Sequence, residues 1–161
     1  MPQYCIVPSP LGDLILLSDA TNTALAALWI RGEKHSSPIQ AEWQKNEKAL
    51  PVVRKQLAEY FAGKRTEFDV LLAPQGTAFQ LQAWQALREI PYGTTVSYGQ
   101  QAARIGKPKA FRAIGLANGR NPISIIVPCH RVIGASGALT GYGGGIAAKR
   151  WLLDHEAAHL K

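Results

Sequence analysis

Cysteine is nearly absent from this chain. Cys5 and Cys129 are the only two among 161 residues, which leaves no disulfide framework and fits a reducing compartment. Histidine is also sparse, at positions 35, 130, 155 and 159. None of the four pairs with a cysteine at finger-like spacing, so no metal site is expected. His155 and His159 are four apart near the end of a helical pattern, and we read them as solvated side chains rather than a metal pair. Long apolar runs are missing too. Stretches such as Ala24 to Ile30 fall far short of the roughly 20 residues that cross a bilayer. The opening M-P-Q-Y-C-I-V-P-S-P lacks the basic region and apolar run of a signal peptide. Charged residues make up 18% and apolar residues 47%, enough for a packed core and too apolar for a disordered polymer. These absences lead us to expect a soluble, cytoplasmic protein without membrane partners.

Acidic residues are scarce in one half only. Residues 1–77 carry eight Lys/Arg and eight Asp/Glu, whereas residues 78–161 carry ten against three, so the whole net charge of +7 lies in the second half. A polyanionic partner is expected there.

The first half has the pattern of a small α/β unit. Tyr4–Val7 and Asp13–Ser18 flank the turn S-P-L-G as a hairpin, and Ala24–Ile30 supplies a third strand. Leu50, Val53, Leu57 and Phe61 recur at helical spacing ahead of Gly63, and Phe68–Leu72 reads as a returning strand. No catalytic spacing occurs here. A-P-Q-G, residues 73–76, is the linker, dividing the chain into a structural domain 1–76 and a second domain 77–161.

The second domain is mainly helical. T-A-F-Q (Thr77–Gln80) and S-Y-G-Q (Ser97–Gln100) are capping boxes that open helices, the first running to about Glu89 and the second stopping at Gly106. A third helix, Lys109 to about Asn118, is closed by Gly119. Two short helices around a Gly/Pro turn outline a helix-turn-helix. Ala110, Ala113, Gly115 and Ala117 would let the second of them approach another surface closely, and Arg112 projects from its first turn. A plain helical hairpin has the same outline; the basic charge favours DNA docking.

I-S-I-I-V-P-C-H-R, Ile123 to Arg131, ends an apolar run on a thiol. Pro128 cannot donate to a ladder, so a strand should end there and present Cys129 from a rigid mount. A free thiol is only a few per cent ionised at neutral pH, and an adjacent base and positive charge raise that fraction. His130 and Arg131 adjoin it, although neighbours on extended backbone point apart, so a bridging water is the natural link. Glu156 sits on the inward stripe of a final helix, Ile146–Leu160, where a bare charge is costly. Either an ion pair with an arginine or a Glu–His–Cys relay would satisfy it. Cys5, in an apolar strand pattern, reads as packing. The glycine-dense G-A-S-G-A-L-T-G-Y-G-G-G (Gly134–Gly145) offers exposed amides and one phenol, Tyr142, without a phosphate-loop pattern.

P-C-H-R-V, preceded by A-N-G-R-N-P and followed by L-T-G-Y-G-G-G and W-L-L-D-H-E, resembles the methylated-DNA–protein-cysteine methyltransferases, the O6-alkylguanine-DNA alkyltransferases, over Thr77 to Glu156. E-Y-F-A-G and F-D-V resemble the bacterial members. The resemblance implies an α+β fold, with a ribonuclease-H-like N-terminal domain and a helical C-terminal domain whose helix-turn-helix meets the minor groove. It implies a monomer that uses no cofactor, acts once on duplex DNA containing O6-alkylguanine or O4-alkylthymine, and leaves cooperative assembly on DNA open. Cys129 matches the nucleophile, His130 its water-mediated base, Glu156 the orienting carboxylate and Asn121 the brace below the thiol. Arg112 matches the residue that replaces a flipped nucleotide, and Tyr98 the one crowding the target phosphate; Ala113 and Gly115 lie on the same docking helix. Tyr142 matches the group bonding guanine N3, the Gly143 amide faces O6, and the Cys129 and Val132 carbonyls face the guanine amino group. Two departures stand out: Phe111 is bulky where many relatives carry alanine, altering docking or filling the core, and the zinc ligands of some relatives are missing.

Overall fold

A computed structural model of the chain describes residues 1–33 and 38–160. Strands β1 (Gln3–Val7), β2 (Leu14–Ser18) and β3 (Leu25–Ile30) form an antiparallel meander. The first turn is tight because Gly12 adopts φ 97°, outside the range most side chains tolerate. Its amide donates to the Ser9 carbonyl at 3.0 Å. A two-residue strand that the sequence pattern did not show, β4 (Gln44–Lys45), pairs parallel with β1 and completes the order β3-β2-β1-β4.

Helix α1 (Pro51–Phe61) starts on a proline, whose missing N–H is no loss in a first turn. Its buried residues Val53, Leu57 and Tyr60 join Cys5, Leu14, Leu16, Leu25 and Leu28 of the sheet in one core cluster. Cys5 is thus a packing residue, fully buried. The strand expected over Phe68–Leu72 does not form; only a single bridge joins Leu72 to Leu25. Two contacts explain the difference. The Gln56 side chain takes both backbone groups of Asp69, at 2.9 and 3.2 Å. The same edge of β3 is also engaged further along by the second half, where the Leu28 amide donates to the Pro122 carbonyl and the Ser124 amide to the Leu28 carbonyl.

Helices α2 (Ala78–Arg88) and α3 (Tyr98–Arg104) open on capping boxes at Thr77 and Ser97, each with both reciprocal bonds. Gly106, at φ 77°, turns the chain after α3. Helix α4 (Phe111–Gly119) begins two residues later than expected, because Lys107–Ala110 closes a turn instead, and it includes Gly119. Ala83, Ala102, Ile114 and Ala117 pack these three helices together. Buried Gln101 and Asn118 exchange amide bonds at 2.8 and 3.0 Å, and the Trp84 indole donates to the Ala117 carbonyl. Small residues at the contact and paired amides in it fix the angle between α3 and α4.

The apolar run before Pro128 is not a strand. Ile125 adopts φ 73°, and successive tight bonds link Ile126 to Ser124 and Val127 to Ile123. A β-branched residue in that region costs roughly 1–3 kcal/mol. Burial offsets it, since Ile123, Ile125, Ile126 and Val127 all lie in the core. A single 3-10 turn (Cys129–Arg131) follows, then β6 (Val132–Ile133), parallel to β5 (Val96–Ser97). Helix α5 (Ile146–Ala158) closes the fold. His155 is not solvated: it is buried, stacks on Trp151 at 4.7 Å and bonds the Tyr60 carbonyl at 2.7 Å. His159 bonds the His155 carbonyl through Nδ1.

Candidate active site

Cys129 is presented by the turn after Pro128, with 8% of its surface exposed. Asn121 organises that turn. Its Nδ2 donates to the Val127 carbonyl at 2.8 Å and to Cys129 Sγ at 3.3 Å, while its Oδ1 accepts the Ile123 amide at 3.0 Å. Burial pushes the Cys129 thiol up to about 11, against the Asn121 donor and the Lys149 charge, which both favour thiolate.

His130 and Arg131 follow in the same turn and converge on Glu156 of α5. His130 is fully buried and its Nε2 lies 2.7 Å from Glu156 Oε2. Arg131 forks onto the same carboxylate, Nε to Oε1 at 2.9 Å and Nη2 to Oε2 at 3.0 Å. The ion pair and the histidine contact, alternatives on sequence spacing, therefore coexist. The Gly93 amide and the Tyr60 hydroxyl complete the shell, at 3.2 and 2.7 Å. Burial works to raise the Glu156 carboxyl, but the His130 and Arg131 donors outweigh it and hold it well below the usual range. Burial also lowers the His130 pKa, against the pull of Glu156. A carboxylate held ionised accepts from Nε2–H, which leaves Nδ1 as the basic nitrogen. Nδ1 is buried and has no hydrogen-bond partner among the described residues.

Arg131 is neutralised by Glu156, and among the described residues Lys149 supplies a positive charge that acts on the thiol. Lys149 is fully buried, with Nζ donating to the Val132 carbonyl at 2.6 Å and to the Thr140 carbonyl at 2.8 Å. Burial lowers its pKa and the Cys129 charge opposes that. Sequence reasoning missed Lys149, although its position seven residues before Glu156 puts both on one stripe of α5. It also missed Tyr60, which looks like one more apolar-stripe aromatic of α1.

The glycine-dense loop is tied down at Thr140, which receives Lys149 and lies 3.1 Å from the Tyr98 hydroxyl. Gly144 must be small: a Cβ there would sit 2.6 Å from Ile30 and 2.9 Å from the Tyr142 ring. The Tyr142 hydroxyl is buried without a hydrogen-bond partner among the described residues. Burial first, then the neighbouring Cys129 charge, raise its pKa well above the ordinary value. Gly143 and Cys129 line one cleft. The Val132 carbonyl is engaged by Lys149, and the Cys129 carbonyl accepts the Val132 amide.

Arg112 and Ala113 lie apart from this cluster, exposed on α4, with Gly115 half-buried against the Tyr98 ring. Phe111 does not fill the core; it is 49% exposed, and Leu116 on the same helix is 76% exposed. The start of α4 therefore presents a basic and apolar surface next to the helix turn.

Two family models cover the chain. That of the 6-O-methylguanine DNA methyltransferase ribonuclease-like domain matches residues 3–74, and that of the DNA binding domain of the same family matches residues 78–158. A methylated-DNA–protein-cysteine methyltransferase of Methanosarcina acetivorans is 49% identical over 155 residues, spanning 96% of this chain and 98% of the relative. One of Mycobacterium tuberculosis is 52% identical over 157 residues, spanning 97% and 93%. The crystal structure of M. tuberculosis O6-methylguanine methyltransferase superposes with a TM-score of 0.92 at 50% identity, covering 100% of this chain and 96% of that one. M. tuberculosis OGT in complex with DNA superposes at 0.90, covering 98% and 94%.

Proposed function

The chain belongs to the 6-O-methylguanine DNA methyltransferase family, and on that premise we propose that it repairs duplex DNA by moving the alkyl group of O6-alkylguanine onto Cys129. The observation that carries this reading is the thiol itself, held at 3.3 Å by Asn121 beside a histidine anchored on Glu156. Members that bind damage without repairing it lack such a cysteine, so retention of Cys129 favours chemistry over binding alone. Residues 1–76 act as the structural domain and residues 77–161 carry DNA binding and transfer, in line with the two family matches.

The alkyl carbon on O6 is inaccessible inside a base stack, so the nucleotide is extruded. Arg112 takes its place in the duplex and Tyr98 crowds its phosphate, while Ala113 and Gly115 let α4 approach the groove. The basic second half draws the duplex in. With its pKa pushed up to about 11 by burial, the thiol form dominates at neutral pH. The proton must therefore be taken as the reaction proceeds. His130 Nδ1 receives it through a water, and Glu156 stabilises the imidazolium. Thiolate attacks the alkyl carbon, the C–O6 bond breaks, and the departing guanine is neutralised by Tyr142 at N3 with the Gly143 amide at O6. O4-alkylthymine is a second lesion that the same chemistry would serve.

A thioether is not readily hydrolysed, so the protein acts once, as a monomer and without a cofactor. No helix among the described residues is long and apolar enough to cross a membrane; we place the protein in the cytoplasm with its DNA. The test is intact mass after incubation with an O6-methylguanine duplex. One added methyl on Cys129 per molecule is expected. Saturable binding with no mass change would reduce the protein to a recognition module.

A further inference from the structure

Tyr60 of α1 is held at both ends by consecutive residues of α5. Its hydroxyl donates to Glu156 Oε2 at 2.7 Å, and His155 Nε2 lies 2.7 Å from its carbonyl oxygen. A carbonyl only accepts, so Nε2 carries a proton and donates. The same carbonyl accepts the Gly63 amide at 3.0 Å, which occupies its second lone pair. His155 is 8% exposed, and aromatic rings fix it from several sides. Trp151 stacks on it at 4.7 Å, the Tyr60 ring centroid lies at 5.2 Å and that of His159 at 4.4 Å. His159 in turn requires glycine at position 63, where φ is 77° and a side chain would collide with its ring. Packing alone needs no imidazole at position 155, and the transfer steps do not use it.

We propose that His155 is a positioning residue for alkyl transfer: by holding the last turn of α1 it places the Tyr60 hydroxyl on Glu156, and through that carboxylate it sets the basicity of His130. The inference rests on the alkyl-transfer reading above. Among the described residues, His155 faces Tyr60, Phe61, Trp151 and His159. Glu156 faces His130, Arg131, the Gly93 amide and the Tyr60 hydroxyl, with the Tyr92 ring 5.7 Å from the Arg131 guanidinium. Lys149 adds its charge on the His130 side. A donor on Oε2 draws negative charge away from the His130 contact. Without it, Oε2 holds the imidazolium more strongly, so His130 keeps its proton to higher pH and is a free base over a narrower range.

Single-turnover rates at saturating O6-methylguanine duplex, read by intact mass between pH 5 and 8 with circular dichroism to check the fold, test this. The acid limb of the wild-type profile reports His130. His155→Leu keeps the bulk without the donor, and His155→Asn keeps a polar group too short to reach. Both are expected to move the limb to higher pH by about half a unit or more. His155→Gln, whose amide reaches the Tyr60 carbonyl, is expected to rescue it. Tyr60→Phe keeps the ring and should move the limb by itself; adding His155→Asn to it should move the limb no further. The proposal is overturned by a limb unmoved in Tyr60→Phe or in a folded His155→Leu or His155→Asn variant. A His155→Asn shift that adds in full to that of Tyr60→Phe also overturns it. Wild type that transfers no methyl at any pH would instead overturn the alkyl-transfer reading.

Discussion

The Tyr60 hydroxyl donates to Glu156 Oε2 at 2.7 Å across 96 residues of sequence, joining α1 of the first half to the carboxylate that holds His130. Tyr60 is fully buried, and its aromatic neighbours Phe61, Phe68 and Tyr92 fix the ring. Burial and the Glu156 charge both keep the phenol protonated, so towards the carboxylate it is the donor. The sheet domain therefore contributes directly to the shell around Glu156.

Tyr60→Phe keeps the ring and removes the donor. A hydrogen bond to a charged group contributes about 1.5–3 kcal/mol, and the variant is expected to lose that much in urea unfolding. Four donor contacts to Glu156 remain, so single-turnover transfer should fall less than in a Glu156 variant. A loss below about 0.5 kcal/mol would mean that Gly93, His130 and Arg131 satisfy the carboxylate by themselves.

Glu156→Gln leaves Arg131 buried without its counter-ion and turns one of the two oxygens that accept from His130 and Arg131 into an NH2 donor. Stability is expected to fall by about 3–5 kcal/mol. Transfer should slow by about 10²-fold while duplex affinity, measured by anisotropy, stays near wild type. The variant should also be less sensitive to acid. The folded-state pKa of Glu156 lies below its unfolded value, so its stabilisation is full above the unfolded value near 4.3 and is lost as pH falls towards the folded one. His130, depressed by burial, adds acid sensitivity beginning below about 6.5. Urea titrations at pH 7, 5 and 4 should show wild type losing more stability than the variant over the lowest step. Parallel losses would assign the acid response to other groups.

Lys149→Met removes the buried ammonium that favours Cys129 thiolate and strips a donor from the Val132 and Thr140 carbonyls. An opposite charge nearby shifts a pKa by about 1–3 units, so alkylation of the folded variant by free O6-benzylguanine at fixed pH should be at least about tenfold slower. Its pH–rate curve should lie further to the alkaline side. A curve unmoved in pH would restrict Lys149 to holding the Gly134–Gly145 loop.

What was legible in the sequence was local. Thr77 and Ser97 announced α2 and α3 because a capping box lies wholly within four residues. Glu156 was legible as a charge on an inward stripe, and it meets both partners that could have satisfied it. What was not legible depends on distant contacts. Phe68–Leu72 has a strand pattern, but the Gln56 side chain takes the Asp69 backbone groups. Ile123–Val127 has a strand composition, yet Asn121 and the surrounding core hold Ile125 in a left-handed conformation. Tyr60 carried no signal at all, since an aromatic on an apolar stripe is ordinary until its hydroxyl finds a carboxylate.

Phe111 and Arg112 stand side by side at the exposed start of α4. With Phe111 49% exposed, the alternative in which it fills the core is closed, and Phe111→Ala should change stability by no more than about 0.5 kcal/mol. An exposed aromatic ring beside a cation suits a minor groove, where apolar side chains wedge between base steps and arginine reads the groove, and under the proposed function Arg112 replaces the extruded nucleotide. Arg112→Ala is therefore expected to slow repair of an O6-methylguanine duplex by about 10²-fold or more, while reaction with free O6-benzylguanine, which needs no extrusion, stays within about twofold. Phe111→Ala should show the same selectivity with a smaller loss. Measuring both substrates on both variants separates docking from chemistry, because damage to the thiol site lowers the two rates together. Equal losses on duplex and free base would remove α4 from the DNA interface.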